Sequence, residues 1–354
     1  MKKLLKKMTA TLTVAVLAFS LTACGAESTE TSDVTKETES IAVESTETGS
    51  AETAAEYPDV IKIGYQPVAN DMMIAIVEGL LDNLGYPYEL TEFKTGKDLN
   101  NALASGSVDV GYIGTVPVVT GITSDLGYEV FWIDGIITEC EGLVVKEGIK
   151  SVADLKGRSI GVVTGSTSHY SLISALEKEG IAEEEVTILG GGTTEIIAMW
   201  ERGDIDAAYI WQPSLEAMIE NGGIVIFDGN DSESIGATTA VVHVVNKEFA
   251  EKYPAAVSAL TDVLASTQEV YNADPDKVIQ DVADRLEMDF DMCKTSITGY
   301  RWITKEEQAS DAYLGGNFAE VLKKTADFLE SQASISSSPE VSVFEEAITA
   351  EFVK

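Results

Sequence analysis

Apolar positions recur along the chain in two alternating periods. The runs "VIKIGY" (60–65), "YELTEF" (88–93) and "VDVGYIG" (108–114) are short and rich in β-branched and aromatic residues, which predicts strands. Between them Met72, Met73, Ile76, Val77, Leu80 and Leu81 repeat at helical spacing behind Asn70, a favourable N-cap. "KDLNNALASG" (97–106) predicts a second helix, closed by glycine. After a connecting segment the rhythm returns. "RSIGVVTG" (158–165), "EVTIL" (185–189) and "DIDAAYIW" (204–211) predict strands, with helices in "SHYSLISALEKEG" (168–180) and "TEIIAMWERG" (194–203). Beyond about residue 247 the pattern is mostly helical, clearest at 247–271 and 317–332. Strands alternating with helices predict an α/β architecture with largely parallel sheets. The 298 residues from Tyr57 onward suffice for two lobes with cores of their own.

Two segments echo one another. "LASGSVDVGYIGTVP" (103–117) and "WERGDIDAAYIWQP" (200–213) each close a helix with glycine (Gly106, Gly203), place an aspartate two residues after the next one (Asp109, Asp206), reach Tyr-Ile, and end at a proline (Pro117, Pro213). Each therefore predicts a strand whose carboxyl end runs into a fresh helix, with proline suited to the first helical turn. Ligands of open α/β sheets bind beyond that edge. Two lobes presenting the same device form a cleft. Three helix starts are candidates to face it: Thr115-Val116-Pro117, Thr167-Ser168-His169 and Gln212-Pro213-Ser214. A helix N-terminus offers unpaired N–H groups and a positive dipole end, so it holds an oxyanion without a formal cation. Simple capping by Ser166, Thr167 or Ser168 accounts for the same residues, although no Glu or Gln follows three positions later to complete a capping box.

Charge and the chain start bear on location. "MKKLLKK" followed by the apolar "MTATLTVAVLAFSL" resembles a signal peptide, and "LTAC" (21–24) resembles the bacterial lipobox. The resemblance implies cleavage after residue 23 and lipidation of Cys24. Residues 25–56 hold nine acids, one lysine and no aromatic residue, too little apolar surface to offset ordering, so 24–56 is expected to be a disordered acidic tether. The formal net charge of −35 opposes nucleic acid and anionic membranes at long range. Of the remaining cysteines, Cys140 and Cys293 lie far apart; either a disulfide or two buried thiols is compatible with their spacing, and no metal-ligand spacing occurs. Two histidines, with no GxSxG elbow or phosphate loop, argue against catalysis.

"STSHYSLISALEKEGI", "MWERGDIDAAYIWQP", "LASGSVDVGYIG" and "EGLVVKE" resemble the substrate-binding proteins of ABC transporters for taurine and aliphatic sulfonates. The resemblance implies a two-lobe periplasmic-binding-protein-like type II fold. Residues 57–142 and 246–354 would form one lobe and 147–242 the other, with crossings at 143–146 and 243–245. It also implies an organosulfonate ligand, an ABC permease and its ATPase subunits as partners, a monomer on the outer face of a Gram-positive membrane, and no cofactor. Carried over by position, the ligand site would comprise Gln66, Asn70, Gly114, Thr115, Glu141, Thr167, Ser168, His169, Trp211 and Thr239. Glu141 would face an amine, residues 167–169 the sulfonate, and Trp211 the alkyl chain. The taurine pattern has an acid where this chain has Val241, which leaves the amine in question. Nitrate and pyrimidine-precursor binding proteins are more distant relatives, and a structural surface lipoprotein is the remaining alternative.

Overall fold

The computed structural model describes residues 57–353; the expected signal peptide, Cys24 and the tether lie outside the described residues. Eleven strands form two sheets among the described residues. The first contains β1 (Ile61–Tyr65), β2 (Tyr88–Glu92), β3 (Val110–Gly114), β4 (Tyr128–Ile137), β10 (Ala240–Asn246) and β11 (Tyr300–Trp302), in the order β11-β4-β10-β3-β1-β2. The second contains β5 (Glu141–Val145), β6 (Ser159–Val162), β7 (Thr187–Gly190), β8 (Ala207–Trp211) and β9 (Ile224–Asp228), in the order β7-β6-β8-β5-β9. Each sheet with its helices is one lobe of a two-lobe α/β fold.

The sheets are mixed rather than largely parallel. β1 pairs in parallel with β2 and β3, and β6 with β7 and β8. The strands next to the crossings, β4, β5 and β10, run antiparallel to every strand they pair with in the sheets. A strand that enters from the other lobe arrives from the opposite end of the sheet, which reverses its direction. The crossings also fall elsewhere than expected. Residues 143–146 and 243–245 belong to β5 and β10 or adjoin them, and their ladders are filled on both sides by β8 and β9 and by β3 and β4. The chain passes between sheets at 138–140 and again at 229–239.

Local chemistry explains the elements that bear on the cleft. Asn70 caps the helix Asp71–Val77, its side chain accepting from Met73 N at 2.8 Å, and Met72, Met73 and Ile74 are fully buried. Pro254 opens the long helix Pro254–Ala273, which packs over Asp71–Val77. The helix Phe318–Ser331 lies on Thr115–Thr123 of the first lobe. Its Phe328 also meets His169 and Tyr170 of the second, at ring separations of 5.7 and 4.7 Å, so it spans both lobes. Cys140 and Cys293 are both free and buried.

Candidate functional site: a cleft ringed by helix starts

A cavity of about 370 Å³ lies between the two sheets, within the range of small-molecule sites. Four helices of nine to twelve residues begin at its wall. Gly96–Ala104 brings Thr95, Gly96 and Lys97; Thr115–Thr123 brings Gly114 and Pro117; Thr167–Lys178 brings residues 163–167; Thr193–Arg202 brings Gly191 and Gly192. Thr95, Ser166 and Gly192 are N-caps in extended conformation, as is Gly114.

Close approach explains the glycines. A Cβ on Gly96 would lie 2.6 Å from the Pro117 ring, so the first two helix starts touch through a glycine. A Cβ on Gly114 would lie 3.1 Å from Thr167 Cγ2, across the cleft. At the third start Ser166 Oγ accepts from His169 N, which leaves the N–H groups of Thr167 and Ser168 without acceptors among the described residues. At the fourth, Glu195 accepts from Gly192 N at 2.9 Å.

The hydroxyls at the third start serve a different purpose from the one their sequence suggests. Thr167 Oγ1 donates to Glu141 Oε1 at 2.6 Å and Ser168 Oγ donates to Glu141 Oε2 at 2.9 Å. Glu141 opens β5 directly opposite Trp211 of β8, is 5% exposed, and is the one acidic residue lining the cavity. Burial pushes its carboxyl up to about 7, and the two hydroxyls hold it from rising further. No cation pairs with it among the described residues. Lys97, an exposed side chain at the opposite wall, is the one basic residue lining the cavity.

Of the ten residues the resemblance marks, the structure brings five to the cavity: Gln66, Gly114, Glu141, Thr167 and Trp211. The others stand behind it. Asn70 lies off the cavity wall: its Oδ1 caps its own helix, and its Nδ2 is buried without a partner among the described residues. Thr115 is fully buried, its Oγ1 accepting from Ala240 N at 3.4 Å. Ser168 backs Glu141. Thr239 is buried and off the cavity wall. His169 turns its ring edge to Phe328, its Nδ1 accepting from Gly165 N at 3.4 Å; burial lowers its proton affinity, so it is neutral there. The expected helix start at 212–214 also falls outside, since Gln212 is buried and caps Glu216 N. In its place stand the starts at 95–97 and 191–192, which the sequence reading passed over. "TGKD" and "GGGTTE" carried the signal: a cap residue or glycine run, then an acid in the first turn. Tyr112, Val241 and Tyr300 complete the first-lobe wall.

Two α/β lobes enclose a small cavity on which helix starts converge from four sides, with no metal-holding cluster among the described residues. Comparison with known proteins gives the class: a substrate-binding protein of ABC transporters. Residues 59–284 match the family described as the substrate-binding domain of ABC-type glycine betaine transport systems, and the chain belongs to that family. It is 32% identical to the taurine-binding periplasmic protein of Escherichia coli over 282 residues, 78% of this chain and 87% of that one. It is 29% identical to a putative aliphatic sulfonates-binding protein of the same organism, over 62% of this chain and 68% of the relative. The crystal structure of the periplasmic aliphatic sulphonate binding protein from Escherichia coli superposes with a TM-score of 0.71 at 21% identity, covering 82% of this chain and 92% of that one.

Proposed function

We propose that this protein captures taurine or a closely related amino-sulfonate outside the cytoplasmic membrane and delivers it to an ABC permease. The observation that carries the reading is a single buried carboxylate without a protein counter-ion, in a cavity otherwise ringed by helix N-termini. A sulfonate spreads its charge over three oxygens and finds N–H donors at the helix starts. An ammonium supplies the positive charge that Glu141 lacks, and leaving either ion buried without the other is costly. Trp211 and Val241 cover the short alkyl link. Glu141 thus does from β5 what an acid at position 241 would do from β10.

Capture proceeds in an open cleft. Closure brings Gly114 and Thr167 together, expels water and strengthens the dipolar contacts. The protein binds without turning its ligand over; transport energy comes from the permease's ATPase. Cys24, if lipidated, holds the protein beside its permease, and residues 25–56 serve as the tether.

A thermal-shift and calorimetric comparison of taurine, ethanesulfonate, nitrate and sulfate tests the reading, because a ligand bound only by the folded state raises the melting temperature. Taurine is expected to stabilise most and ethanesulfonate less. Stabilisation by nitrate with none by either sulfonate would overturn the proposal.

A further inference from the structure

A third segment, residues 299–301, grips both crossings. Gly299 O accepts three donors from the first: Thr138 N at 3.0 Å, Cys140 N at 3.2 Å and Thr138 Oγ1 at 2.5 Å. A Cβ on Gly299 would lie 2.5 Å from Cys140 N, so only glycine allows the approach. The crossings are also tied to each other, Ile137 N donating to Thr239 O at 3.0 Å and Gly229 N to Thr138 O at 2.9 Å. Tyr300 lines the cavity and packs with Tyr112, Ile137, Cys140 and Val241. Arg301 ends the segment with a fork on Glu233, Nη1 to Oε2 at 2.8 Å and Nη2 to Oε1 at 2.7 Å. Three consecutive residues thus touch the first crossing, the cavity and the second crossing.

The fork joins the lobes. Arg301 stands opposite Ile136 in the β11–β4 ladder and so moves with the first sheet. Glu233 lies in the helix Gly229–Ser234, which follows β9 without a break and is capped by Asp228, the last residue of that strand. The Ser232 hydroxyl of the same helix is 3.2 Å from the Tyr209 hydroxyl of β8, and the helix packs on Thr167–Lys178. Glu233 therefore moves with the second sheet. The pair is bidentate, the geometry in which an Arg–carboxylate contact is strongest. Side-chain exposures of 48% and 35% keep its worth modest.

We propose that Arg301 is a positioning residue for closure: its fork on Glu233 latches the second lobe to the first when the cleft is shut and releases it when the cleft opens. Neither residue lines the cavity. The latch therefore favours the closed form over the open one by the same factor whatever solute is bound. This inference needs only the class of protein and stands apart from the amino-sulfonate reading.

The test is stopped-flow binding of taurine and of ethanesulfonate to the full chain and to four variants. Arg301→Gln and Glu233→Gln each speed dissociation of both solutes by one common factor, about three- to fivefold. Association stays within about twofold of wild type, because capture precedes closure. The double Gln variant loses no more than either single one, and the exchange of Arg301→Glu with Glu233→Arg recovers slow dissociation. Salt of about 0.5 M brings wild type close to the variants, since the pair is half exposed. Unchanged dissociation in either single variant overturns the latch, as does a double variant whose loss is the product of the single losses. A fall in unliganded melting temperature that tracks the lost affinity would mean a structural tie and also overturn it. Failure of the amino-sulfonate reading changes the solute and not these ratios: nitrate or sulfate then takes the place of taurine.

Discussion

The two echoing segments are anchored alike and end differently. Asp109 N donates to Lys62 O at 2.8 Å while its Oδ2 accepts from Lys62 N at 2.9 Å. Asp206 does the same with Ser159, at 2.8 and 3.0 Å. Each aspartate thus pins its strand to the parallel neighbour, β3 to β1 and β8 to β6, and Tyr112 and Tyr209 are buried at equivalent places. The last strand residues then part. Gly114 stands opposite Val241, and Trp211 stands opposite Glu141. In the first lobe the glycine lets a helix begin at the cavity wall. In the second the tryptophan fills that space, and the acid beside it supplies charge. The repeated plan places strands, and the exit residues decide what each strand end presents to the cavity: a helix start after Gly114, an indole beside a buried carboxyl at Trp211 and Glu141.

Removing the acid should break the contrast most sharply. Glu141→Gln is expected to lower taurine affinity about 30-fold or more at pH 8, a loss of ~2–5 kcal/mol for a buried charge pair, with ethanesulfonate unchanged or tighter. The wild-type protein should bind taurine more tightly as pH rises from 6 to 8, because the Glu141 proton leaves at about 7. Stability runs the other way. The folded-state value lies above the ordinary 4.5, so the native state binds more protons than the unfolded state between about 4.5 and 7. Unliganded stability therefore falls as pH rises through that window. The full penalty is about 3 kcal/mol above it, and Glu141→Gln should relieve it. A melting temperature for Glu141→Gln that exceeds wild type by several degrees at pH 8 and equals it at pH 4.5 confirms the sign. Equal melting temperatures at both would refute it.

Next in size is the other exit. Gly114→Val places methyls where Thr167 already stands, so the cleft cannot close fully. Overpacking of ~1–3 kcal/mol should weaken every sulfonate about 5- to 150-fold. The backbone at Gly114 has φ −76°, ordinary for any residue, so unliganded melting should hardly move. Affinity that falls for taurine alone would show that Gly114 reads the amine, not the closure. Trp211→Ala should cost both C2 sulfonates about fivefold and cost a longer alkanesulfonate less, since each extra buried methylene recovers ~0.8 kcal/mol. Uniform loss across chain lengths would remove Trp211 from the alkyl wall.

These contrasts were only partly legible beforehand. The strands and helices with clear alternation or helical spacing were readable, as was the Asn70 cap, because local chemistry sets them. "YEVFWIDGII" was passed over as a connection. β4 is buried on both faces and shows no alternation, so periodicity is silent where burial is greatest. The echo predicted two matched strand ends, which is what the sheets contain, yet it placed the second helix start in the cleft. Trp211 closes that exit, and nothing in the motif indicates which way a loop turns. The hydroxyls of 167–168 were readable as donors, but not their acceptor, since Glu141 lies 26 residues away on another strand.

The smallest expected effect concerns Lys97, the one cation at the cavity and an exposed one. A chain of net charge −35 repels a sulfonate at long range, and the helix starts act only at contact, within the first turn. Lys97 bridges these two ranges at the mouth. Lys97→Met is expected to slow association of taurine and ethanesulfonate alike, about two- to threefold at low salt, and to leave dissociation nearly unchanged. The difference should vanish by about 0.5 M salt, where an exposed charge is screened, whereas the dipolar contacts inside the closed cleft are screened far less. Stopped-flow rates across a salt series decide it. A variant that dissociates faster at every salt concentration would place Lys97 on the bound sulfonate itself, and the first lobe would then add a formal charge to its helix starts.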